Sequence, residues 1–376
     1  MVPGRIGTQS DPEEERIGVP KVHPDIEAFS ILGQFLGQFP AGKRKNGSSI
    51  DRINDSHYHS FSKILENEPL QNPWFTSEFL LRALEGISSM LKKEVLQKWC
   101  ASYPGLPVEE DRVKTVGLVL AGNIPLVGFH DVLSVLISGH RTLVRPSSKD
   151  DRLIAVIAEI LTDLSPRLGE RFKLTEDKLK GIDAVIATGS DHSARHFEYY
   201  FRDMDYIIRK NRNGVAILTG SESEEELHSL GKDIFTYFGL GCRNITKIYV
   251  PEDYDLTLFM GAMDLFAELG KHHKYANNVD YYRSIYLINL VEFLDNGFLL
   301  LKEDPAIASP VGVVFYERYS EIEQVLDELD ARKNEIQCKV CIDEGIPGTL
   351  APGKTQDPMP WDYADGVDTL KFLSEL

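Results

Sequence analysis

Cysteine is scarce in this chain, with four in 376 residues, too few for a disulfide framework. No apolar run is long enough to span a bilayer, and no signal-peptide pattern opens the sequence. Positive charge is also short. Lys and Arg number 41 against 58 Asp and Glu, a formal net charge of −17. Such a field repels nucleic acid and anionic membrane surfaces. The expectation is a cytoplasmic globular protein with no nucleic-acid partner and no integral membrane segment. Metal-ligand spacing is missing as well. Cys338 and Cys341 form a nominal C-x-x-C, but three apart in the alternating run EIQCKVCI they point to opposite faces of a strand. An acidic protein can still hold an anionic cofactor through helix N-termini and a few basic side chains.

Apolar residues make up 42% of the chain, enough for a large core in two domains. Residues 1–25 are rich in Pro, Gly and charge and read as a disordered arm. Residues 26–110 read as a helical region. Within it Phe79, Leu80, Ala83, Leu84, Ile87, Met90, Leu91, Val95 and Trp99 recur at helical intervals, after an N-cap at Thr76 or Ser77.

Beyond Arg112 strand and helix alternate. VKTVGLVLAG, RTLVRPSS, GIDAVIATGS, YIIRKN and GVAILTG read as strands, the first three each followed by an apolar or amphipathic helix. Continuous apolar strands with short turns predict a doubly wound, mostly parallel sheet covered on both faces over 111–220. A helix with capping-box spacing at Ser221/Glu224 and Ser223/Glu226 follows. A second α/β domain is expected over 221–346, and a loop-rich tail over 347–376.

Parallel sheets bind ligands at the carboxyl ends of their strands. AGNIP, RPSSKD and ATGSD stand at three such ends, although the GxGxxG dinucleotide fingerprint is absent. Gly189 and Ser190 open a helix, where free amides suit a phosphate or simply form a cap. Arg145 and Lys149 carry positive charge beside Ser147 and Ser148. In FGLGCRN, Gly239 can close a helix in the left-handed region. Gly241 permits close approach beside Cys242, and Arg243 favours its thiolate.

In this order AGNIP, LVRPSSKD, TGS and FGLGCRNITKIYVP resemble the aldehyde dehydrogenase superfamily, and within it the acyl-CoA reductase (LuxC-like) family. The likeness extends from about Arg112 to the C-terminus, including KYANN and WDYADGVDT. It implies an aldehyde-dehydrogenase-like fold with Cys242 as nucleophile and Asn123 as the oxyanion donor, partnered by the Cys242 amide. It also implies a nicotinamide cofactor near Arg145, Ser147, Ser148, Lys149, Gly189 and Ser190, and a homo-oligomer.

Two departures from ordinary aldehyde dehydrogenases shape the expected reaction. Their general-base glutamate would fall near YIIRKNRNGVAIL, where ungapped counting finds Ile208. Without a base to activate water, reduction of an acyl thioester is favoured over aldehyde oxidation. In RPSSKD, Ser148 replaces the glutamate that NAD-preferring relatives place against the ribose. A hydroxyl between cations accepts a 2′-phosphate, so NADPH is expected. The expected partner is an acyl-CoA or acyl carrier thioester, with CoA as the leaving group. An oxidising aldehyde dehydrogenase and a non-catalytic member of the fold are the alternatives.

Overall fold

The structure, a computed structural model, describes residues 23–376 apart from Ser48 and Glu344. Most of the arm expected over 1–25 therefore lies outside the described residues. Its last part is not an arm: His23 and Asp25 are buried, and the His23 ring bonds the Ile137 carbonyl at 2.5 Å.

Four helices come first: α1 (Ile26–Leu36), α2 (Asp51–Gln71), α3 (Ser77–Met90) and α4 (Lys93–Ala101). Thr76 caps α3 by accepting from the Phe79 amide, and Phe79, Leu80, Ala83, Leu84, Ile87 and Met90 form its buried face. The single helix that the periodicity predicts is broken at Leu91 and Lys92. That break lets Leu91 bury completely against Gly33 of α1, where an added Cβ would stand 2.7 Å from Leu91 Cβ. Packing across helices overrides helical continuity here.

The first sheet contains β1 (Thr115–Val119), β2 (Arg141–Arg145), β3 (Phe172–Leu174), β4 (Ala184–Thr188) and β5 (Asp205–Arg209). Its helices are α5 (Phe129–Ile137), α6 (Arg152–Leu164), α7 (Pro166–Arg171) and α8 (Asp191–Phe201). All pairings are parallel, in the order β3-β2-β1-β4-β5. Strand order reverses between β1 and β4, which opens a crevice at their carboxyl ends.

The second sheet takes β6 (Asn213–Ile217), then α9 (Glu224–Phe235), β7 (Ile245–Pro251), α10 (Leu256–Met263) and α11 (His273–Ile288). It continues through β8 (Leu294–Asp295), β9 (Leu300–Glu303), β10 (Val313–Tyr319), α12 (Ile322–Ala331), β11 (Ile336–Cys341) and β12 (Thr349–Leu350). A last helix, α13 (Thr369–Glu375), ends the chain. Strand order is β12-β11-β6-β7-β10-β9-β8, with only β8 antiparallel to its neighbour.

Two expectations are corrected here. GVAILTG, read as finishing the first sheet, is β6 and pairs with β7 and β11 of the second. The sheet boundary therefore falls between Arg209 and Asn213 rather than near residue 220. A strand's own periodicity does not say which sheet it joins. The tail is also more than loop. It supplies β12 to the second sheet, while Leu370 and Leu373 of α13 bury in the core under the first.

Candidate active site

Cys242 sits on a loop that the backbone could not form without help. After α9 the chain passes through Tyr237, Phe238 and Gly239 at φ +55°, +57° and +75°. Two consecutive non-glycine residues in the left-handed region are strained, and such strain persists only where surroundings over-determine it. Here they do. The Tyr237 and Phe238 rings are buried against Phe79 of α3. Asn244, wholly buried, accepts from the Gly241 amide at 2.8 Å and donates to the carbonyls of Asp233 and Thr236, each at 2.9 Å. A Cβ on Gly241 would lie 2.9 Å from Asn244 Oδ1, so glycine is needed for this staple rather than for access alone.

The loop opens into a cavity of about 620 Å³ between the two sheets and the N-terminal helices. Asn123 enters from the end of β1, Ser147 and Lys149 from the end of β2, and Gly189 and Ser190 from the end of β4. Cys242 and Arg243 come from the loop before β7. Arg145 and Ser148 are exposed and are not among the lining residues. Of the eight residues singled out in the sequence, the cavity gathers six.

Asn123 does not wait as an idle donor. Its Nδ2 donates to the Leu240 carbonyl at 2.7 Å and so ties the end of β1 to the cysteine loop; the amide carries a second N–H. Ser190 caps α8 by accepting from the Ser193 amide at 3.3 Å, the ordinary role that the sequence left open. Ser147 packs on Gly122, where an added Cβ would stand 2.5 Å from its Oγ. Gly86 of α3 also borders the cavity, and a Cβ there would meet nothing within 4 Å. Glycines thus keep both the mouth and the α3 wall open.

The thiol is not the ready thiolate that Arg243 alone would favour. Burial raises the Cys242 pKa above its ordinary value, and Asp365 adds to the rise. Arg243, Arg209 and the Cys242 amide pull it down without reversing it. Desolvation of the charged form outweighs two nearby cations.

Arg209 and Asp365 were not picked out in the sequence. Arg209 is the residue that β5 turns into the cavity, one position beyond the Ile208 found by counting. Its guanidinium, almost fully buried, makes a bidentate pair with Asp131 of α5 at 2.7 and 3.4 Å. It also donates to the Ala364 carbonyl at 2.8 Å and to Thr369 Oγ1 at 2.9 Å. The tail is held at two further points: Arg243 donates to the Asp362 carbonyl at 2.7 Å, and the His130 ring bonds the Pro360 carbonyl at 2.8 Å. Asp365 thereby reaches the same cavity, its carboxylate 3.2 Å from Arg212 Nε. The position matched by counting carries no carboxylate, but the cavity itself is lined by Asp131, Asp362 and Asp365. The only hint in the sequence was the acidic WDYADGVDT run, which has no spacing rule linking it to the cysteine.

The model of the family described as Acyl-CoA reductase (LuxC) matches residues 75–278, more than half of the chain. A coniferyl aldehyde dehydrogenase from Pseudomonas sp. (strain HR199 / DSM 7063) is 26% identical over 208 residues. That match takes in 45% of this chain and 43% of the relative, less than half of its length. Among solved structures, an indole-3-acetaldehyde dehydrogenase complexed with NAD+ superposes with a TM-score of 0.59 at 12% identity. It covers 84% of this chain and 71% of that one. An NAD-dependent aldehyde dehydrogenase from Sinorhizobium meliloti gives 0.60 at 12%, covering 88% and 72%. These likenesses show an aldehyde-dehydrogenase fold, and the family match shows that the chain belongs to the acyl-CoA reductase (LuxC) family.

Proposed function

We propose that this protein reduces an acyl thioester, such as a fatty acyl-CoA, to the aldehyde through an acyl group carried on Cys242, with NADPH as reductant. The observation that carries the reading is the side chain presented by β5. One position beyond Ile208, where counting places the water-activating glutamate of oxidising relatives, Arg209 enters the cavity. A guanidinium cannot accept a proton from water, but it stabilises a thiolate and a developing oxyanion.

In this reading Cys242 sulfur attacks the thioester carbonyl and the carrier thiol leaves. The tetrahedral oxyanion is met by the Cys242 amide and by the Asn123 N–H not used on Leu240. Losing one such donor typically raises the barrier by about 2.7–4 kcal/mol. The apolar α3 wall of Ala83, Ile87 and Met90 suits an acyl chain and keeps water away. Residues at the mouth fit a phosphorylated dinucleotide: Lys149 supplies a cation, Ser147 a hydroxyl, and the Gly189–Ser190 turn the start of α8. The cofactor, when bound, supplies the hydride that converts the acyl group to aldehyde.

The test is chemical trapping. Incubated with an acyl-CoA and no NADPH, the protein is expected to gain one acyl mass on the peptide holding Cys242, with release of free CoA. Cys242→Ala should abolish both the adduct and NADPH consumption. An adduct elsewhere, or none with any chain length, refutes the reading. Aldehyde plus NADP+, with and without CoA, separates it from oxidation to the free acid, which would proceed without CoA.

A further inference from the structure

We infer that Asp365, carried into the cavity by the C-terminal tail, is the acid–base residue of the Cys242 site. It accepts the thiol proton as sulfur attacks and returns it to the departing carrier thiolate. The role rests on the thioester reading above.

Three observations converge. The cavity around Cys242 receives no carboxylate from β5, yet a neutral buried thiol needs a proton acceptor before it can attack. Asp365 lines that same cavity, and the Cys242 thiol feels its charge. Its backbone is also held in an unusual state. Asp365 lies at φ +60°, and its amide donates to Gln337 Oε1 of β11 at 2.9 Å. The carbonyl of the same peptide, on Ala364, accepts from Arg209, so the peptide that leads into this left-handed residue is fixed at both ends and holds its side chain in place.

The groups facing Asp365 set its readiness. Burial raises its pKa, and Asp131 from α5 raises it further. Arg212, Arg209 and the Lys210 amide lower it. Burial is the largest of these effects and leaves the carboxyl above its ordinary value, which brings it closer to a thiol as a proton acceptor. On the other side Cys242 is faced by Arg243 and Arg209 as well as by Asp365. The balance closes without any redox partner. The S–H proton passes to the carboxylate, a C–S bond forms to Cys242 and the C–S bond to the carrier breaks. The proton then leaves on the carrier thiol.

Asp365→Asn is the informative variant, because asparagine tolerates left-handed backbone as readily as aspartate. The measurements are the pre-steady-state burst of free CoA from an acyl-CoA without NADPH, at pH 5 to 9, and alkylation of Cys242 by iodoacetamide. The expected result is an acylation burst slowed about 10²-fold or more, with the acidic limb of its pH profile flattened. Asp365→Glu should recover part of the rate. A purely electrostatic role predicts the opposite sign, since removing this negative charge lowers the thiol pKa and quickens alkylation. Acylation by Asp365→Asn at or above the wild-type rate, at unchanged melting temperature, would overturn the assignment while leaving acyl-Cys242 intact. A wild-type protein with no CoA burst would overturn the thioester reading, and this role with it. Should Asp365→Asn not fold, Asp365→Ser answers the same question.

Discussion

Arg145 ends β2 and Lys149 follows it four residues later, yet their surroundings differ. Lys149 lines the cavity while Arg145 does not. In the reading proposed above, discrimination through the 2′-phosphate would fall to Lys149 and Ser147 rather than to the whole RPSSKD segment. Lys149→Gln is expected to weaken NADPH binding by about tenfold, the loss of one charge-assisted hydrogen bond, with little effect on NADH. Arg145→Gln should leave the ratio of the two dissociation constants unchanged. Titration of intrinsic fluorescence with each cofactor reads both outcomes, and equal losses of the two cofactors in Lys149→Gln would remove Lys149 from the phosphate site. The positions of Cys242, Asn123, Ser147, Lys149, Gly189 and Ser190 at strand ends or beside a glycine drew notice in the sequence, and the resemblance to a family implied the roles of Cys242 and Asn123. Ser148 and Arg145 could not be sorted from them, since direction around a turn depends on its dihedral angles and not on its composition.

At the scale of elements, the loop between β1 and α5 shows how the site is held in shape. Leu126 adopts φ +55°, and its amide donates to Asp150 Oδ2 at 2.6 Å. Asp150, ahead of α6, thus clamps the turn that carries Asn123. Burial pushes its pKa up to about 7, with the Leu126 amide opposing and Glu68 and Asp151 adding to the rise. An unfolded aspartate titrates near 3.9, so between about pH 4 and 7 the native state binds more protons than the unfolded chain. Stability must fall as pH rises through that window and stay reduced above it. Asp150→Asn keeps an acceptor for Leu126 and lacks the titration. Its melting temperature should decline less than the wild type's between pH 5 and 8; parallel curves would show that Asp150 is charged throughout. The start of α9 was plain from composition, although its end was not: it closes at Thr236 and not at Gly239. The capping box at Ser223 and Glu226 is formed as spaced, whereas the Ser221/Glu224 alternative is not, because Ser221 turns back to Thr219. The break between α3 and α4 was not visible, since it answers to Gly33 on another helix.

Across the whole molecule the tail ties the two sheets together. Asp131 and Arg209 lie 78 residues apart in the chain, and both side chains are less than a tenth exposed. Through Ala364 and Thr369 the same guanidinium also anchors the approach to α13. Removing one member of a buried pair strands the other, a loss of about 3–5 kcal/mol. Asp131→Ala should therefore lower the unfolding free energy from denaturant titration by that amount and reduce Cys242 acylation, because the tail that brings Asp365 loses its anchor. A loss within the range of an exposed pair, about 0–1 kcal/mol, would show that water already reaches Arg209.

The sequence by itself determined the alternation of strand and helix, the amphipathic faces, the caps and the cysteine loop. These are set by residues close in the chain, through side-chain period, glycine freedom and local hydrogen bonds. It did not determine that GVAILTG crosses into the second sheet, that Arg209 rather than Ile208 enters the cavity, or that WDYADGVDT returns to the cysteine. Those depend on which distant surfaces bury one another and on which buried charge must find a partner. Only the folded chain brings Asp131, Arg209 and Asp365 around Cys242.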